Sequence, residues 1–271
     1  PFGALIYYYL ADQPSSTDTV RLEFIDSRGE LVKAYTTHPD KSALQESRLS
    51  VSGGLNRFQW NMTGAKPEIL PGSFMSLSYT SGHSVPPGNY GAQLSVNDEI
   101  QTVYFEVQKD PRWEQSNDDL IAQHKLVVNV MEKLNETHDA IHQIRSVREQ
   151  SKEIASLAVD AGYDKAISEK ADELAEKLTA IEDELIQTKS ESGQDPINYP
   201  PMLDDQFAYL YSTVNFQDSR PTAGAYERFE DLKKELSVHL TNLDEIMASD
   251  FKAFNDMLDS EGVSRIIIPK R

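Results

Sequence analysis

The sequence predicts a multidomain protein of β-then-α class: an antiparallel β-sandwich over residues 1–112, then an antiparallel helical bundle over 113–262. Three observations predict it. Up to about residue 110 the apolar residues alternate with a period near two, in short runs bounded by turn residues. Beyond Trp113 they recur every three, four or seven residues. Pro111 separates the two regimes, because proline cannot donate to a strand ladder.

The β region contains eight expected strands. They are Ala4–Leu10, Val20–Ile25, Leu31–Tyr35, Leu49–Ser52, Asn56–Asn61, Phe74–Tyr79, Tyr90–Val96 and Gln101–Val107. Asp26-Ser27-Arg28-Gly29 reads as a tight turn and Asn97-Asp98 as a hairpin. The most informative stretch is Gly53–Trp60, a strand entered through a double glycine. Phe58 and Trp60 lie two apart in it, on one face of the pleat, which marks them as core.

The helical region opens on Ser116-Asn117-Asp118-Asp119, a hydroxyl three residues ahead of a carboxylate, the pattern of a capping box. Leu120, Val127, Leu134, Ile141 and Arg148 then repeat every seven residues, with Val130, Met131 and Ile144 between them. This predicts one long amphipathic helix reaching Leu157. Gly162 stops it and Asp164 caps a second helix with the stripe Ile167, Ala171, Leu174, Leu178, Ile181 and Leu185. A third follows Pro221-Thr222 with Phe229, Leu232, Leu236, Leu240 and Leu243. Such stripes are stable only when buried against one another, hence a bundle. The Pro-rich crossover at 193–221 is expected to hold a short helix near Leu203–Phe216, packed by Phe207, Tyr209, Tyr211 and Phe216. The apolar tail, 263–271, is expected to add a strand to a sheet edge or to be the stub of a neighbouring segment.

The chain has 271 residues, no cysteine and a formal net charge of −18. Residues 1–112 hold 9 Lys and Arg against 12 Asp and Glu; the remainder holds 17 against 32. So acidic a second half repels phosphate backbones and anionic membrane surfaces, so neither nucleic acid nor membrane insertion is expected. Without cysteine there are no disulfides, thiol nucleophiles or thiolate metal sites. The chain starts at Pro1 without a signal peptide, and the expectation is a mature or excised piece.

Leu22–Asp26 with Gly29–Val32, Gly54–Trp60, and Pro87-Gly88-Asn89-Tyr90 resemble the Ig-like (FnIII-like) module of flagellar hook-capping proteins and many exported bacterial proteins. The whole chain resembles the C-terminal region of large exported bacterial Asp-box, sortilin-type β-propeller proteins, often labelled glycosyl hydrolases. That likeness rests on Ala4–Leu10, Asn56–Trp60, Asp110-Pro111-Arg112, Gln194–Pro201, and Asp218 to Thr222 with Tyr226–Glu230. It implies a non-catalytic accessory module in an exported protein. The implied partner is an upstream β-propeller of the same polypeptide, with a cell-envelope protein or glycan as a further one. No Asp-box occurs here, so no glycosidase residue carries over. Two alternatives stay open: part of a glycoside hydrolase whose catalytic site lies outside this chain, and a carbohydrate- or protein-binding module.

No catalytic residue and no cofactor is assigned. His138 and His142 are the metal candidates, four apart on a helix, but Asp139 stands where a zinc protease needs glutamate. Glycosidases need two carboxylates facing across a cleft about 5–10 Å apart. Asp118/Asp119, Glu182/Asp183/Glu184 and Asp204/Asp205 read as solvated faces or helix caps instead. Trp113 and Tyr8 are the ligand or interface candidates. In Tyr7-Tyr8-Tyr9, alternation sends Tyr8 to the face opposite the other two.

Overall fold

The computed structural model describes residues 3–40, 43–71, 73, 80–97 and 99–267. Among them the layout is β then α. The strands are β1 (Ala4–Leu10), β2 (Val20–Ile25), β3 (Leu31–Thr36), β4 (Glu46–Arg48), β5 (Gly54–Trp60), β6 (Gly88–Val96) and β7 (Glu99–Val107). The helices are α1 (Asn117–Asp160), α2 (Ala166–Leu185), α3 (Leu203–Asn215), α4 (Ala223–Ile246) and α5 (Lys252–Ser260). Strand pairing makes a two-stranded sheet, β1-β5, and a five-stranded sheet in the order β4-β3-β2-β6-β7. The expected strand at Phe74–Tyr79 lies outside the described residues, as does Asp98 of the β6–β7 hairpin.

Two corrections concern β4. The strand is Glu46–Arg48 and not Leu49–Ser52, and it runs parallel to β3, so the larger sheet is mixed rather than antiparallel. The physical reason is an ion cluster: Arg21 of β2 reaches Glu46 with one guanidinium nitrogen and Glu23 with Nε. The backbone bond from Leu49 N to Thr36 O (2.8 Å) closes the ladder. Leu49 is still buried, but it enters the core from a loop.

Contacts group the chain into two compact units. The first holds Pro1–Glu68, Thr80–Asn129 and Tyr211–Thr222; the second holds Ile69–Tyr79, Val130–Leu210 and Ala223–Arg271. The change of period near residue 112 falls between the end of β7 and the start of α1, whereas the compact units divide within α1 and α3.

The core of the first unit joins the two sheets. Val20, Leu22 and Phe24 of β2, Trp60 of β5, and Tyr90 and Ala92 of β6 share one buried cluster. The Phe24 and Trp60 rings stack at 4.2 Å between centroids, 13° apart, and the Trp60 indole N–H donates to Thr63 O at 3.0 Å. An aromatic pair of this kind adds about 1 kcal/mol beyond its area burial, and the bonded N–H removes the cost of burying the polar edge.

The first helix starts as its sequence dictates. Asp119 N donates to Ser116 Oγ, and Ser116 N donates to the Asp119 carboxylate at 3.1 Å, a closed capping box. It stops at Gly162, whose φ of +88° suits glycine best. Gly162 N bonds Val159 O and Tyr163 N bonds Ala158 O, both at 3.0 Å, which satisfies two terminal carbonyls. Asp164 then caps α2 by accepting from Ala166 N.

In the second unit the α2 stripe is buried as expected. Phe229, Leu232, Leu236 and Leu243 bury the matching stripe of α4. A single π turn, Met247–Phe251, separates α4 from α5. Phe207 and Tyr211 of α3 are buried, whereas Tyr209 of α3 and Phe216 just after it are 54% and 90% exposed. The described part of the tail is not a strand. Its backbone is taken by helix side chains: Ile266 N donates to Asn255 Oδ1 and Ile267 N to Gln150 Oε1. The tail's polar backbone thus finds partners on α5 and α1 without a sheet edge.

Candidate functional site

Within the first unit a cleft of about 370 Å³ opens where several chain segments converge. Its wall includes Met62, Pro86, Pro87, Trp113, Leu120 and Asp218. Each piece is held by a side-chain hydrogen bond, some local and some across the chain. Trp113 follows β7 and precedes α1; Lys109 Nζ donates to the carbonyls of Trp113 (3.0 Å) and Gln115 (2.6 Å), which fixes that loop. The Pro86 carbonyl accepts from the Tyr90 hydroxyl at 2.8 Å. Gln123, one turn after Leu120, donates to Val214 O at 2.8 Å and to Gln217 O, which brings Asp218 to the cleft. Arg220 Nε donates to Asp119 at 2.5 Å from the same segment.

The electrostatics divide the carboxylates. Asp110 lines the cleft, but its hydrogen bonds from Arg112 hold it down at about 2. Asp119 is also held at about 2, first by the Ser116 hydroxyl and then by Arg220. Asp218 goes the other way: partial burial raises it. An aromatic face, two prolines and one acid in an apolar setting suit stacking and hydrogen bonding of a ligand.

Beside the cleft lie two imidazoles that sequence reasoning missed. His83 and His124 face each other at 4.9 Å between ring centroids. Burial lowers both, His83 to about 3, with the neighbouring His124 and Lys33 adding to the effect. His124 Nδ1 meets the carbonyl oxygen of Ser84 at 3.1 Å, not its hydroxyl. Gly64 packs so closely that an added Cβ would lie 2.0 Å from the His83 ring.

Trp113 is thus placed in the cleft, 38% exposed. Tyr8 is half-buried against the sheet core, and that burial raises its phenol; Tyr7 and Tyr9 are the two of the run that face solvent. In the second unit His138 is fully buried, its Nε2 4.0 Å from Asp204. Among the described residues no three His, Asp or Glu side chains are placed to hold a metal. Asp204 and Asp205 are both buried at the start of α3, where Asp204 Oδ1 accepts from Asp205 N at 2.7 Å. Burial, with the charge of Asp205, raises Asp204 to about 7 against the pull of Arg145.

Glu182 corrects a further expectation. It is not on a solvated face but buried, clamped by Arg145 Nε at 2.6 Å and by Arg148 Nη1. The signal was present in the spacing: Glu182 lies four residues after Leu178 and three before Leu185, on the apolar stripe, while Arg148 closes the heptad series of α1. A cation and an anion that interrupt two facing stripes are the mark of a pair.

No family model matches the chain, and neither a curated protein nor a solved structure matches it significantly.

Proposed function

We propose that this chain is a non-catalytic structural and interaction module: an Ig-like sandwich followed by an antiparallel helical bundle, serving an exported β-propeller protein. The stacking of Phe24 on Trp60 across the two sheets supports the sandwich. The buried stripes of α2 and α4 support the bundle. One observation carries the functional reading. The polar side chains around the Trp113 cleft are spent on architecture, with Gln123, Lys109 and Tyr90 on backbone carbonyls and Asp110 on Arg112. What the cleft offers a partner is an aromatic ring, prolines and Asp218.

The test is calorimetric titration of the chain with a separately produced propeller of the Asp-box class. Binding that Trp113→Ala weakens about tenfold, about 1.4 kcal/mol, is the expected result. Hydrolysis of glycosides by the isolated chain, or binding indifferent to Trp113, overturns it. A second reading, a carbohydrate-binding module, is favoured by the aromatic face of Trp113 beside the carboxyl of Asp218. A glycan array without signal above background removes it.

A further inference from the structure

We propose that the cleft between α1 and α2 in the second unit binds a phosphate group. The cleft, about 420 Å³, is lined by Arg145, Arg148 and Lys152 of α1, by Thr179 and Glu182 of α2, and by Ser190. The spacing of the three cations, i, i+3 and i+7, puts them on one face of α1. That is unexpected in the part of the chain where acids outnumber bases almost two to one.

Glu182 does not exhaust them. Arg145 spends Nε on it, and Arg148 spends Nη1 on it and on Thr179. Each guanidinium carries five N–H donors, so both forks retain donors after pairing. Their side chains are 36% and 23% exposed, against 3% for the Glu182 carboxylate that fixes their direction. Lys152 makes no salt bridge among the described residues. The other acid of the cleft, Asp183, accepts from the Thr188 hydroxyl at 2.8 Å and is exposed.

An independent observation points to a ligand. Ser190 Oγ is buried and has no hydrogen-bond partner among the described residues. A buried hydroxyl left unmatched is costly, and folded chains rarely tolerate one without a role. Two guanidiniums, an ammonium and a hydroxyl offer donors from several directions. That arrangement suits a tetrahedral oxyanion better than a planar carboxylate, which one guanidinium fork satisfies. The acidity of the chain as a whole does not forbid this, since at 0.15 M salt charges beyond about 8 Å are screened.

The experiment titrates the whole chain at pH 7 and 0.15 M salt with inorganic phosphate, phenyl phosphate and acetate, followed by nuclear magnetic resonance of the arginine side chains. Phosphate is expected to bind with Kd near about 1 mM, and acetate about tenfold more weakly or worse. Binding of both phosphates means that the site reads the free anion; binding of phenyl phosphate alone means that it reads an ester. Lys152→Glu, at an exposed position, is expected to weaken binding at least about tenfold with no change of Tm in phosphate-free buffer. Ser190→Ala is expected to weaken it less. No binding of either phosphate at about 20 mM, equal binding of acetate, or unchanged affinity in Lys152→Glu overturns the proposal.

Discussion

The two compact units differ in which ionisable groups burial shifts most. In the first the largest shift is in a base: burial pushes His83 down to about 3, and it lowers Lys33 as well. In the second the largest shift is in an acid. Glu182 is clamped by two guanidiniums, whereas burial raises Asp204 to about 7. The difference teaches that overall acidity says little about where charge matters. The groups that couple folding to pH are the handful taken out of water, and their effects run in opposite directions with pH.

The comparison breaks most severely at Glu182. Arg148→Ala leaves a buried carboxylate with one cation instead of two, and a loss of about 3 kcal/mol in urea unfolding at pH 7 is expected. A loss under about 1 kcal/mol would mean that the pair behaves as a surface bridge. Gly64→Ala comes next, because the new methyl must displace the His83 ring; about 2 kcal/mol is expected from the same measurement.

The pH dependence follows in size. His83 titrates lower folded than unfolded, so its contribution is complete above pH 6.5 and is lost as pH falls toward 3. At about 1.4 kcal/mol per unit, about 2 kcal/mol is gone at pH 5. His83→Gln is expected to flatten that slope; an unchanged slope between pH 6.5 and 5 assigns it elsewhere. Asp204 titrates higher folded than unfolded, so its contribution is complete below about pH 3.8 and is lost as pH rises through 7. Asp204→Asn keeps the acceptor for Asp205 N and is expected to gain about 1 kcal/mol at pH 8, with no gain at pH 4. Equal effects at both values would point to packing instead of charge.

Much of the architecture was legible because it is local. The alternation of β1, β2, β5, β6 and β7, the capping box at Ser116 and the stop at Gly162 are each written within a few residues. What escaped depends on distant partners. Nothing in the short polar sequence of β4 announces a strand; its place comes from Arg21, 25 residues earlier. Trp113 could be singled out as a lone aromatic at the change of period. Asp218 could not be assigned beside it, because Gln123 brings them together across 94 residues. The tail misled because its apolar, β-branched composition fits a strand, while its backbone is satisfied by Asn255 and Gln150.

The position of β7 has a colloidal consequence. This nine-residue strand ends the five-stranded sheet and shows Ile100, Val103 and Tyr104 to solvent. An open ladder with such side chains is a template on which strands from other molecules can stack. Glu99 and Glu106, exposed at its two ends, act as gatekeepers against that growth. Replacing both with alanine removes this electrostatic guard, so turbidity in that variant should start at this edge.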